Sequence, residues 1–145
     1  MLELGPGPGY FTVEASRMVS AEGRVVCLDI QPEMITLLRG RLDEKQVANA
    51  HPLVGDATSL PLADGSVDVA VMVTVLGEIP DRPSALAELR RVLKPGGALS
   101  ISENLSDPDY QLEASVRDLC RASGFEELDC SREVMGYTMC FAAPR

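Results

Sequence analysis

At 145 residues, with 46% hydrophobic side chains and a formal net charge of −9, the chain is sized and composed for one globular domain with a sizeable core. That negative field disfavours a nucleic-acid partner held through its phosphates and tolerates neutral or cationic ligands. No apolar run approaches the roughly 18 residues of a membrane span, and no basic region of a secretory signal opens the chain, so the expected address is the cytoplasm.

The chain begins MLELGPGPGYF, a short apolar strand, Met1 to Leu4, running into alternating Gly and Pro at 5–9. Apolar residues at 10, 11, 15, 18 and 19 predict a helix over Tyr10–Ala21, closed by Gly23. RVVCLDI (24–30) is β-branched without clean alternation, a buried strand, and Pro32 opens a helix striped by Met34, Ile35, Leu38 and Leu42. AHPLVGD predicts a third strand ending at Asp56, and ATSLPLADGS a loop. VDVAVMVTVL (67–76), the most hydrophobic run, is expected at the centre of a sheet. Pro83 starts a helix with Leu86, Leu89, Val92 and Leu93 inward, and Pro95-Gly96-Gly97 stops it. ALSISE (98–103) is a fifth strand, and a helix from about Tyr110 to Ser123 ends at Gly124. FEELDCSR and YTMCFAAP lie too close together for a crossover helix and must pair antiparallel. The expected fold is α/β: a single Rossmann-like three-layer sandwich whose mostly parallel seven-stranded sheet ends in an antiparallel hairpin.

A strand, a glycine-rich turn and a helix place backbone N–H groups at the carboxyl edge of a parallel sheet, where ligands bind. Dinucleotide folds want G-x-G-x-x-G there. This chain has G-x-G-x-G, with Tyr10 at the last glycine's place and Pro6 and Pro8 removing two donors, so the turn suits an adenosine ligand without phosphates. Glu3 beside it opposes phosphate and favours a cation. Asp29, about twenty residues after Gly9, can accept from vicinal ribose hydroxyls, and Asp56 from an adenine amino group; a turn or cap serves either equally well. Cys27, Cys120, Cys130 and Cys140 form no CxxC pair and His51 has no neighbouring ligand, so reduced cysteines and no metal are expected.

LELGPGPG, VVCLDIQPEMI, GDATSLPLADGSVDVAVMVTVLGEIPD and ELRRVLKPGG, in that order, resemble the successive motifs of class I S-adenosylmethionine-dependent methyltransferases, in the small-molecule ubiquinone/menaquinone-biosynthesis-like branch. The resemblance runs to about Glu103 and implies S-adenosylmethionine as cofactor. It implies that Glu3, Gly5 and Gly7 line the cofactor's methionine part and that Gly9 lets a helix pack close. Asp29 would hold the ribose, Ile30 lie against the adenine, Asp56 bond the adenine amino group and Ala57 offer it a backbone N–H. Thr74 and Val75 would face the sulfonium and amino group.

Two departures stand out. Where that branch often shows an aromatic or histidine pair, this chain has Leu76-Gly77-Glu78-Ile79-Pro80. The resemblance also implies helices ahead of the first strand, which leads us to expect a shortened chain with an open cleft and a homodimer covering the exposed surface. No catalytic residue is assigned: Glu78, Glu103 and Asp107 are candidate bases, each more readily read as a solvated carboxylate or cap, and Tyr110 and Tyr137 are candidate pocket walls or core. The expected activity is methyl transfer to a small-molecule acceptor. The alternatives are a non-catalytic S-adenosylmethionine-binding remnant and, against the turn's pattern, an NAD-dependent oxidoreductase.

Overall fold

The computed structural model describes residues 1–20 and 22–145. Strands β1 (Leu2–Leu4), β2 (Val25–Asp29), β3 (Ala50–Val54), β4 (Val67–Val73), β5 (Leu93–Asn104), β6 (Glu126–Glu133) and β7 (Gly136–Ala142) form one sheet. Its order is β3-β2-β1-β4-β5-β7-β6. Pairings from β3 across to β5 are parallel, and β7 pairs antiparallel with both β5 and β6. The hairpin is antiparallel because only Val134 and Met135 join its strands.

Helices α1 (Tyr10–Met18) and α2 (Pro32–Glu44) cover one face, α3 (Arg82–Val92) and α4 (Glu113–Ala122) the other. Leu38 and Leu42 of α2 pack with Val25 and Cys27; Leu86 and Leu89 of α3 pack with Met72, Leu99 and Ile101. Each fully buried Leu or Ile contributes about 1.5–3 kcal/mol. After β3 the chain returns to the other side of β1, so β1 and β4 are neighbours with their crossovers on opposite faces. A crevice therefore opens at their carboxyl ends.

Element order and sheet class match the sequence reading, and several boundaries differ: β3 ends at Val54, short of the predicted Asp56, and β4 at Val73, short of the predicted Leu76. The first helix ends at Met18, and its predicted end at Ala21 lies outside the described residues. Pro95-Gly96-Gly97 does not separate helix from strand: β5 begins at Leu93, directly after α3. Gly96, at φ +73°, shapes an irregularity in β5, and the glycines pair with the end of β7 through Gly96 N to Ala143 O (3.2 Å) and Ala143 N to Gly97 O (2.8 Å). The last helix starts at Glu113 and not Tyr110, because the amides before it are engaged elsewhere. Asp109 N donates to Asp107 Oδ1 (2.8 Å), Tyr110 N to Asp107 O (3.2 Å) and Gln111 N to Glu103 Oε2 (3.2 Å). Among the described residues, no helix is long and apolar enough to cross a membrane.

Candidate functional site

The turn after β1 is built around glycines at positive φ: Gly5 at +61°, Gly7 at +51° and Gly9 at +85°. Gly5 N donates to Leu28 O (2.9 Å), extending the ladder, and Gly9 N to Pro6 O (3.0 Å), closing the turn. A β-carbon on Gly5 would collide with Val75, and one on Gly9 with Leu38 of α2. With Pro6 and Pro8 lacking donors, Gly7 holds the one amide of positions 5–9 that the described residues leave uncommitted. One free amide cannot cradle a pyrophosphate.

Opposite the turn, β4 ends at Val73 and is followed by Thr74, a β-branched residue at φ +53°. Such a conformation costs on the order of 1–3 kcal/mol and persists only where its surroundings impose it. Here Thr74 N donates to Ser102 O and Oγ1 to Val73 O, both at 2.8 Å. The chain then swings through Val75 into a short 3-10 turn, Leu76–Glu78.

Between these walls lies a cavity of about 760 Å³, within the range of small-ligand sites. Nine of the sequence-nominated residues line it: Gly5, Gly7, Asp29, Ile30, Asp56, Ala57, Thr74, Val75 and Glu78. Asp29 is buried and its Oδ1 accepts from Gln31 N (2.9 Å). Asp56 is exposed; its Oδ1 accepts from Thr58 N and Thr58 Oγ1, both at 2.8 Å, which holds its carboxyl below the usual carboxylate range. Both aspartates therefore act as turn caps through one oxygen. In neither does the other oxygen take a hydrogen bond from the described residues.

Six nominated residues do not line this cavity. Glu3 is buried behind the turn, its Oε2 accepting from Thr12 Oγ1 (2.7 Å), and burial pushes its carboxyl above the ordinary range. Gly9 forms the packing contact with α2 and does not line the cavity. Glu103 shares the buried side of β5 with Leu99 and Ile101. Its Oε2 accepts from Gln111 N, its Oε1 is buried without a partner among the described residues, and burial raises its carboxyl too. Asp107 caps the turn before α4. Tyr137 donates to Gln111 O (2.7 Å) and meets Tyr110 edge-on, ring centroids 6.0 Å apart, so this pair braces the core; Tyr137 also borders a smaller cleft of about 240 Å³ that shares Val73 and Thr74 with the larger one.

The sequence reading missed Thr58, Pro80 and Asp81 as cavity residues, along with Gln31 and Met34 at the start of α2. Asp81 carried a signal: an Asp three residues before Ser84 and just ahead of Pro83 is an N-cap pattern, and the structure shows Ser84 N on Asp81 Oδ1 (3.1 Å). The titratable side chains lining the cavity, Asp29, Asp56, Glu78 and Asp81, are all acidic. That wall suits a ligand bearing positive charge and no phosphate. Among the described residues, no cluster of His, Cys, Asp and Glu is arranged to hold a metal ion.

Comparison with known proteins agrees with this geometry. The family described as "Methyltransferase domain" matches residues 2–101. The chain belongs to this methyltransferase family. The motif resemblance to the class I, ubiquinone/menaquinone-biosynthesis-like branch points the same way. A ubiquinone/menaquinone biosynthesis C-methyltransferase of Marinomonas sp. (strain MWYL1) is 35% identical over 119 residues, 81% of this chain and 47% of that protein. A 37.1 kDa protein in transposon TN4556 of Streptomyces fradiae is 41% identical over 109 residues, 75% of this chain and 30% of that one. The chain thus spans half or less of these relatives' length. Among solved structures, an S-adenosylmethionine-dependent methyltransferase from Aquifex aeolicus superposes with a TM-score of 0.92 at 22% identity, covering 98% of this chain and 80% of that one. The [4+2]-cyclase SpnF superposes at 0.87 and 19% identity, covering 99% and 73%, so the same fold also carries a different chemistry.

Proposed function

We propose that the chain binds S-adenosylmethionine in the cavity between the Gly5–Gly9 turn and Thr74 and transfers its methyl group to a small-molecule acceptor. The observation that carries this reading is the cavity's donor and charge set: one uncommitted amide in the turn, and carboxylates along walls to which the described residues contribute no Lys, Arg or His. A sulfonium nucleoside fits that set and a dinucleotide does not. Asp29 is positioned to accept from ribose hydroxyls through its uncommitted oxygen, and Asp56 to accept from the adenine amino group through its own. Ile30 and Met34 supply apolar wall for the base, and the wall at Thr74 and Val75 bounds the reacting end.

Bound S-adenosylmethionine supplies an electrophilic methyl on a leaving group that departs neutral. The protein's part is alignment and exclusion of water. The rigid turn and the constrained Thr74 provide the alignment.

Calorimetric titration with S-adenosylhomocysteine, with NAD as control, tests the reading. The expected outcome is binding of the first alone, weakened at least about tenfold by Asp29→Ala, the loss of one or two charge-assisted hydrogen bonds. Binding of NAD with equal affinity, or indifference to Asp29→Ala, sinks it.

A further inference from the structure

Four carboxylates line the cavity, and three of them hold turns or caps: Asp29 and Asp56 through one oxygen each, from Gln31 N and from Thr58 N and Oγ1, and Asp81 through both, from Ser84 N and Oγ. Glu78 alone takes no hydrogen bond from the described residues. We propose that Glu78 is the base that faces the acceptor, and that the acceptor enters as a neutral hydroxyl or N–H compound. This rests on the methyl-transfer reading above.

The placement is fixed by the backbone. Glu78 closes the 3-10 turn that follows Thr74 and Val75, with its N–H donating to Val75 O (3.0 Å). The turn cannot drift outward, because Gly77 lies so close to Asp109 O that a β-carbon there would clash. Nor is it free on the other side: Arg82 Nη2 donates to Gly77 O (3.0 Å) while Nη1 donates to Gln111 Oε1 (2.9 Å). The Arg82 guanidinium bonds neutral oxygens there, and it is not among the groups that shift the Glu78 carboxyl.

The charges around Glu78 come from three directions. Asp29 faces it from the end of β2, Asp107 and Asp109 from the segment after β5, and Asp81 lines the same cavity from the start of α3. Partial burial, then Asp107, Asp109 and Asp29, raise the Glu78 carboxyl above its ordinary value, which strengthens it as a proton acceptor. With no Lys, Arg or His among the described residues that line the cavity, a carboxylate or phosphate on the acceptor would meet these charges uncompensated. A neutral O–H or N–H meets a waiting acceptor oxygen.

The step balances without a further reagent. A lone pair on the acceptor's oxygen or nitrogen forms the bond to the methyl carbon. The sulfonium's S–C bond breaks and its electron pair stays on sulfur. The acceptor's proton passes to the Glu78 carboxylate and from there, through the part of the residue open to solvent, to water.

The test combines titration with turnover. Protein carrying carbon-13 at the glutamate carboxyls and saturated with S-adenosylhomocysteine is titrated by NMR, the Glu78 signal being assigned by its loss in Glu78→Gln. The expected result is a titration point above the ordinary 4.5. In parallel, methyl-tritiated S-adenosylmethionine is offered with a panel of phenols and anilines and the same compounds bearing a carboxylate or phosphate. The neutral members are expected to be methylated in preference. Glu78→Gln should lower kcat/KM about 100-fold or more, Glu78→Asp should restore part of it, and S-adenosylhomocysteine affinity should stay within about threefold for both.

A Glu78 that titrates at or below the ordinary value, a Glu78→Gln enzyme as fast as the parent, preference for the anionic acceptors, or a parent that binds S-adenosylhomocysteine yet methylates no neutral member overturns the proposal. Failure to bind S-adenosylhomocysteine at all would instead remove the methyl-transfer reading beneath it.

Discussion

Residues of one chemical type end up in different roles here according to where the backbone leaves them. Glu3, Asp29 and Asp56 stand at or near the carboxyl ends of three adjacent strands, yet only the two aspartates open onto the cavity; Glu3 is turned inward onto Thr12. The glycines divide in the same way. Gly7 faces open space, so an added methyl there meets only the strain of its positive φ, whereas Gly9 combines φ +85° with a collision against Leu38. Gly9→Ala is therefore expected to destabilise the fold by about 2–3 kcal/mol, the left-handed strain plus overpacking, and Gly7→Ala by about 1 kcal/mol. Urea denaturation of the two variants measures the difference. A double-mutant cycle with Leu38→Ala should show favourable coupling at Gly9 and none at Gly7. Equal losses at the two glycines would mean that the α1–α2 approach is not set by Gly9.

At the scale of elements, the loop carrying Asp56 and Thr58 is clamped to α3 through the Arg91 guanidinium, and its end by Gly65 N to Arg91 O (3.0 Å) and Ser66 N to Val92 O (2.9 Å). Arg91 donates to Leu60 O (3.0 Å), Leu62 O (2.8 Å), Asp64 Oδ1 (2.6 Å) and both oxygens of Glu88, while Leu60 N returns a bond to Glu88 Oε2 (2.8 Å). Planar five-donor geometry makes this junction specific to arginine. Arg91→Lys is expected to speed amide exchange across residues 56–66 while leaving β4 protected, and to weaken S-adenosylhomocysteine binding through the loosened Asp56–Thr58 turn. Hydrogen exchange read by mass spectrometry checks it; unchanged protection of the loop sinks it. None of this clamp is legible in the sequence, because its two halves lie about 30 residues apart and meet only through the fold. What could be read was whatever repeats with the period of an element: the buried runs of β2 and β4, the stripe of α2, the hairpin forced by a short connection. Strand-end acids were readable too, since a parallel sheet sends its carboxyl ends to one edge. The β5 start and the α4 start were not, because a glycine pair was free to bulge as well as to stop, and because Glu103 drew the Gln111 amide away from the helix. Glu103 borders the smaller cleft beside Val73 and Thr74 and not the larger cavity, a placement set by which face of β5 is buried.

For the whole molecule, the −9 charge conceals two populations of carboxyl groups with opposite pH responses. On the surface, Glu113 and Glu127 bind Arg117, Arg121 and Arg132, stitching α4 to the hairpin. The Arg132 and Arg117 guanidinium groups hold Glu113 down at about 2, so its contribution is present above the ordinary 4.5 and fades as pH falls toward 2. Glu3 and Glu103 respond the other way. Burial raises both, so folding favours their protonated forms; their contribution is full below the ordinary 4.5 and is lost as pH rises through the raised value. Glu103 is the sharper case, because its Oε1 has no partner among the described residues to offset the charge. A neutral isostere removes that charge while keeping an oxygen for Gln111 N. Glu103→Gln should therefore leave Tm close to the parent's near pH 4 and raise it progressively as pH climbs above the ordinary 4.5 toward about 8, where the folded parent must bury an anion or hold a proton that the unfolded chain has released. Thermal melts of both proteins across that range decide the matter. A difference that stays flat, or that shrinks with rising pH, would mean that the charge on Glu103 is compensated, and Arg82, the cation that lowers its carboxyl from across the Gln111 junction, would then be the residue to vary next.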